Sequence, residues 1–255
     1  MLMIDNTPAV TVVIPCYNMG AFIEAAVDSV RAQTFRDFEI VIVDDGSDDP
    51  RTLTRLDELA ASGLTVLRTG NRGVAAARNC GIRAARGRYI LPLDADDLIE
   101  QCYLEKAVRL FEENPETDIV CCDAELFGEA SGTLRLPDFS RQRLLSENLL
   151  FASAMFRKSD WRAAGGYCAL LRFGWEDWDF WIAMTKRGAL VVRIPEALLK
   201  YRIRSNSRDR SMTRWQKGGM ILLMLARHGI CYLRFPMNLI RLFTNARPTT
   251  DGRKP

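Results

Sequence analysis

The stretch Tyr89-Ile90-Leu91-Pro92-Leu93-Asp94-Ala95-Asp96-Asp97 sets an apolar run directly before three carboxylates in four residues. A short apolar run of this kind reads as a strand buried on both faces, so the carboxylates crowd the turn at its carboxyl end. Like charges this close raise one another's pKa unless a metal or a basic group neutralises them. A hard divalent cation held by one or two carboxylates keeps its remaining positions for water and phosphate oxygens, which points to a nucleoside diphosphate. A solvated acidic turn capping a helix from about Glu100 is the alternative that this stretch alone leaves open.

The same arrangement recurs on the N-terminal side. Residues 9–14, 38–43 and 64–67 are short apolar, β-branched runs, while Phe22, Ala25, Ala26, Ser29 and Val30 recur at helical spacing and residues 51–61 and 74–85 read as helices. Such alternation predicts an α/β fold: a Rossmann-like, mostly parallel sheet with helices on both faces and a ligand crevice outside the carboxyl ends of the strands. Each unusual polar motif falls at such an end, namely Pro15-Cys16-Tyr17-Asn18, Asp44-Asp45-Gly46-Ser47, Asn71-Arg72-Gly73 and Asp94-Ala95-Asp96.

Val12-Val13-Ile14-Pro15-Cys16-Tyr17-Asn18, Val43-Asp44-Asp45-Gly46-Ser47, Ala77-Arg78-Asn79-Cys80-Gly81, Asp94-Ala95-Asp96 and Trp175-Glu176-Asp177-Trp178 follow one another in an order and spacing that resemble the family 2 glycosyltransferases of the GT-A fold. The resemblance runs from about residue 8 to 201. It implies transfer of a sugar from a nucleotide-sugar donor, uridine-based by preference, with inversion at the anomeric carbon and a divalent ion, Mn or Mg, on the diphosphate.

Carried over residue by residue, the resemblance makes Asp45 the acceptor of a hydrogen bond from the nucleobase, with Asp44 fixing the loop. Tyr17 lies against the base, and Pro15 holds the loop through its fixed φ. Turn capping by the two aspartates and core filling by Tyr17 stay open. Gly73 opens the helix of Arg78 and Asn79 and lets backbone approach the nucleotide; Arg78 answers equally to an internal salt bridge with Asp94 or Asp45. In the acidic turn Asp96 is the main metal ligand. Asp94 contacts ribose or metal, Ala95 lies between them, and Asp97 caps the next helix.

Asp177 takes the position of the catalytic base, at the start of a helix running to about Arg187 whose N-terminus keeps the carboxylate ionised. Glu176 and Asp179 support it by orienting the loop or pairing with a basic residue. Trp175, Trp178 and Trp181 cannot all face one way on a helix. One or two fill the core, and Trp175 walls a sugar ring, with Trp178 beside it as acceptor-side support. Where the family has Tyr-Arg followed by a metal-binding His, this chain reads Tyr201-Arg202-Ile203-Arg204. Guanidinium has no free acceptor, so Arg204 cannot ligate a cation; it is expected to clamp the diphosphate. Ser211-Met212-Thr213-Arg214-Trp215 keeps only the end of the processive synthases' Gln-x-x-Arg-Trp, which predicts a non-processive enzyme.

At 255 residues and 48% hydrophobic content, the chain can bury a core without disulfides. Its seven Cys show no metal-ligand spacing and suit a reducing cytosol. A catalytically silent nucleotide-sugar-binding module and a nucleotidyltransferase are the other readings; the latter lacks the Gly-rich, Lys-bearing signature expected near the N-terminus. His228, the one histidine, is expected on the surface of a helical tail. Residues 8–99 form the nucleotide-sugar half of one domain, 100–205 the acceptor half, 206–245 a basic apolar helical tail, and 246–255 a disordered end.

Charge is split. Residues 200–255 carry 13 Lys and Arg against 2 Asp, a net of +11, and the residues before them carry −8. The tail's apolar runs, 220–226 and 236–243, are too short to span a bilayer. Basic and apolar together, they suit either an interfacial helix on an anionic membrane or docking on the catalytic domain. The expected partners are thus a nucleotide-sugar donor, a glycan or lipid-linked acceptor, and the inner membrane face from the cytoplasmic side. No nucleic-acid-reading motif appears.

Overall fold

A computed structural model of the chain describes residues 7–204 and 212–245; Ser211 and the 246–255 end lie outside the described residues. The first half is built as the apolar runs dictate: β1 (Val10–Cys16), α1 (Ile23–Arg31), β2 (Phe38–Asp44), α2 (Pro50–Ala61), β3 (Thr65–Arg68), α3 (Val74–Ala84) and β4 (Tyr89–Pro92). In space the strands run β3-β2-β1-β4, all parallel. Their carboxyl ends, and the four polar motifs, therefore share one edge.

The second half extends this sheet. It comprises β5 (Leu98–Ile99), α4 (Tyr103–Glu113), β6 (Thr117–Gly128), β7 (Gly132–Leu134), α5 (Arg141–Leu144), β8 (Met155–Arg157), α6 (Lys158–Ala164), α7 (Glu176–Thr185) and β9 (Leu190–Ile203). The order continues β4-β8-β6-β9-β5, with β8 antiparallel to β4 and β6, and β9 parallel to β6 but antiparallel to β5. The two halves are one GT-A-type sheet, parallel where the motifs lie and mixed beyond.

Alternation along β1 assigns the layers. Val10, Val12, Ile14 and Cys16 face α1, α2 and α4, whereas Val13 faces α3, α6, α7 and the tail. Gly81 lets α3 approach β1, since a Cβ there would overlap the Val13 side chain. The tail forms α8 (Arg214–Arg234) and α9 (Pro236–Asn245). Helix α8 starts at a capping box of Thr213 and Gln216 and breaks its helical dihedrals at His228. Met220, Ile221, Met224 and Tyr232 pack into the core shared with α7, so docking on the catalytic domain holds for this face. Among the described residues no helix is long and apolar enough to cross a membrane. All seven cysteines are free thiols.

Two local expectations fail here. The helix expected from about Glu100 starts at Tyr103, because β5 intervenes to pair with β9. Asp97 caps no helix. It is buried and accepts the backbone N–H of Arg202 at 2.8 Å, closing the ladder between the acidic turn and β9.

Candidate active site

The strand-end edge is held together by its own polar groups. Asn18, in the left-handed region at φ 54°, donates its backbone N–H to Ser47 Oγ and accepts the N–H groups of Asp48 and Asp49 at its Oδ1. Asp44 accepts Ser47 N–H at 2.9 Å. Buried Asp45 accepts Arg72 N–H at 3.0 Å through one oxygen and Gly73 N–H at 2.8 Å through the other. Both aspartates thus fix loops, and a nucleobase reaching Asp45 would have to use its second lone pairs. Gly73, at φ 88°, starts α3 as expected. Pro15 lies within β1 opposite Val43, and Tyr17 just beyond it is 41% exposed, open to a ligand face rather than filling the core.

Arg78 resolves in favour of the internal ion pair. Its guanidinium is fully buried and donates to Asp94 Oδ1 at 2.6 Å and Glu176 Oε1 at 2.8 Å. Despite the burial, these two carboxylates keep it firmly charged. It joins the acidic turn of the first half to α7 of the second. Asn79 accepts the Trp161 indole N–H and Tyr167 N–H and donates to Tyr167 O at 2.7 Å.

In the acidic turn, Ala95 is buried, and Asp94 and Asp96 remain partly exposed. Burial, then the charge of Asp94, pushes the Asp96 carboxyl up, while Arg204 pulls it back. Asp97 is raised further by the same two causes. Arg204 binds Asp96 Oδ2 at 2.7 Å, so its visible partner is the expected metal ligand rather than a diphosphate. Among the described residues no three His, Cys, Asp or Glu close around one point. The donor set nevertheless fits a partial site: hard carboxylate oxygens on two mutually repelling groups, Asp94 and Asp96.

Helix α7 carries Asp177, the residue expected to act as base. Trp175 precedes it at φ 64°, half-buried and edge-on to Trp178 at 5.4 Å. Trp178 is buried, its indole N–H given to Leu144 O; Trp181 is wholly buried. Asp177 Oδ2 accepts Asn148 Nδ2 at 3.0 Å. The helix N-terminus does not hold this carboxyl at its ordinary value. Burial, followed by the Glu176 charge, pushes it up to about 6, with Arg78 opposing. A carboxyl raised toward neutrality in this way is suited to accept a proton.

Three further residues belong to this neighbourhood. Asn148 lies in an aperiodic segment that gave no signal. Tyr201 has its hydroxyl pushed up by burial and then by the charges of Asp97, Asp94, Asp177 and Asp96. His228 is buried, not on the surface: with Arg227 it binds Asp179 Oδ1, both at 2.8 Å, tying α8 to the helix that carries Asp177.

The glycosyl transferase family 2 profile matches residues 11–177. An uncharacterized glycosyltransferase, EpsJ of Bacillus subtilis (strain 168), is 34% identical over 146 residues, 55% of this chain and 41% of that protein. The chain thus spans about two fifths of that relative's length. Among solved structures, S. aureus TarS 1–349 in complex with UDP-GlcNAc superposes with a TM-score of 0.71 at 20% identity, covering 86% of this chain and 66% of that one. The mannosyltransferase PcManGT from Pyrobaculum calidifontis, in complex with GDP-Man and Mn2+, gives 0.65 at 21% identity, covering 93% and 73%.

Proposed function

Because this chain belongs to glycosyl transferase family 2, we propose that it moves one sugar from a nucleotide-diphosphate-sugar, preferentially a UDP-sugar, to a hydroxyl of a glycan or lipid-linked acceptor, with inversion. The observation that carries this reading is the Arg78 bridge: one buried cation holds Asp94 of the donor edge and Glu176 beside the base Asp177. Donor and acceptor chemistry then meet at one place.

The acceptor hydroxyl gives its proton to Asp177 as its oxygen bonds to the anomeric carbon. The bond from that carbon to the diphosphate oxygen breaks with its electron pair, and the nucleoside diphosphate leaves. Asn148 orients the carboxylate, and Arg78 neutralises Glu176 so that its charge does not push Asp177 higher still. Trp175 walls the sugar ring, and Tyr17 lies against the base. Asp96 and Asp94 would hold a divalent ion, Mn or Mg, which supplies charge neutralisation of the diphosphate when bound. Arg204, paired with Asp96, would also be able to clamp the diphosphate. The UDP-GlcNAc of TarS and the GDP-Man and Mn2+ of PcManGT support a nucleotide-sugar and a divalent ion here.

A screen of nucleotide-sugars for hydrolysis, with water as acceptor and Mn or Mg present, tests the reading. One or a few donors should release nucleoside diphosphate. Binding without hydrolysis would instead favour a silent nucleotide-sugar module, the reading to which the Arg204–Asp96 pair lends weight. Release of pyrophosphate would favour a nucleotidyltransferase.

A further inference from the structure

Helix α8 has two apolar faces. Met220, Met224, His228 and Tyr232, at four-residue intervals, are buried against the catalytic domain. A surface helix turns polar residues outward, and one that is apolar all round has a second environment to face. Here the outward stripe reads Trp215, Leu222, Ile230 and Leu233, and continues on α9 as Met237 and Ile240. Trp215 at 92%, Ile230 at 84% and Leu233 at 83% are the most exposed large apolar side chains among the described residues.

We propose that this outer face of α8 and α9 lies on an anionic membrane surface. The charge pattern selects that occupant over a second copy of the chain. Residues 212–245 contain Arg214, Lys217, Arg227, Arg234 and Arg241 and no Asp or Glu. Two copies meeting through this face would bring like charges together, whereas anionic headgroups neutralise them while the apolar stripe enters the acyl boundary. Arg214 beside Trp215 and Arg234 beside Leu233 put basic heads next to buried stems, and Trp is favoured at that depth. The inner face is tied through Arg227 and His228 to Asp179 on α7. A membrane-laid α8 therefore holds the Asp177 helix close to the lipid headgroups. The identity of the acceptor as lipid-linked rests on the glycosyltransferase reading; membrane binding is measured without turnover, so the two fail separately.

The test is sedimentation of the protein with vesicles of equimolar phosphatidylglycerol and phosphatidylcholine, and with phosphatidylcholine alone. Binding to the anionic vesicles should exceed binding to the neutral ones and weaken about tenfold or more as salt screens the headgroups. Ile230→Ser with Leu233→Ser, and separately Arg214→Glu with Arg234→Glu, should each lower it about tenfold while donor hydrolysis persists. No binding to either vesicle, or equal binding to both, overturns the proposal. So does a concentration-dependent dimer, seen by analytical ultracentrifugation, that Ile230→Ser with Leu233→Ser dissolves.

Discussion

Replacing Asp177 by Asn keeps the side chain's shape and removes its basicity. A positioned general base is worth about 10² to 10⁴ in rate, or about 3–5 kcal/mol of transition-state stabilisation. With the carboxyl pushed up to about 6, about nine tenths is ionised at pH 7 and about one tenth at pH 5. The unmodified protein should therefore lose about tenfold in kcat/KM across that interval, and the variant's residual rate should be flat there. Stability should move the other way. The folded chain binds more protons than the unfolded one between the ordinary value of 3.8 and about 6, so ionising Asp177 costs stability as pH rises through that window. The Asn variant escapes this cost, and its melting temperature relative to the parent should rise from pH 4 to pH 7. Donor hydrolysis against pH, calorimetric nucleotide affinity and thermal melting report the three effects. A flat acid limb in the parent, near-normal turnover in the variant, or parallel loss of donor affinity would refute the assignment.

Asp96→Ala should abolish the Mn-dependent gain in nucleoside diphosphate affinity while leaving the melting temperature near normal, and unchanged calorimetric affinity with Mn would remove Asp96 from the metal site. Arg204→Ala frees Asp96, and should strengthen binding of Mn alone while weakening that of the diphosphate; a parallel change in both contradicts these two roles. Arg78→Met leaves buried Glu176 without its cation and should cost about 3–5 kcal/mol in denaturant unfolding, with a loss below about 1 kcal/mol arguing that the pair is unimportant. His228→Ala removes one of two donors to buried Asp179 and should cost about 1–3 kcal/mol. Hydrogen exchange should show the loss concentrated in α8, and uniform exchange across the sheet would count against that docking role.

The parallel half was legible because each strand is an apolar run closed by a polar motif, so the periodicity and the site point to the same edge. What escaped depends on partners far along the chain. Arg78 and Glu176 are separated by 98 residues, and no spacing rule names that pair. Asp94, Asp96 and Asp97 are chemically alike in sequence; the approach of β9 buries Asp97 and leaves the other two partly open. Asn148 lies between short elements with no period to fix its direction. His228 is buried rather than on the surface of the helical tail, and Met220, Met224, His228 and Tyr232 form a four-residue ladder consistent with a buried face.

The joining of β5 to β9 bears on how the molecule comes into being. Strands β1 to β4 are complete within the first 92 residues, yet the turn after them is held by Leu198–Lys200, by Arg202 N–H on Asp97 and by Arg202 Nε on Asp96 O at 2.9 Å. Loop closure over some hundred residues is entropically costly and slow. During synthesis the acidic turn must therefore wait, without its clamp, until β9 leaves the ribosome. A chain cut before residue 198 lacks the strand that holds Asp97 and the backbone of Asp96. If the acidic turn holds the diphosphate as proposed, a nascent or truncated product has no fixed place for it until β9 is made.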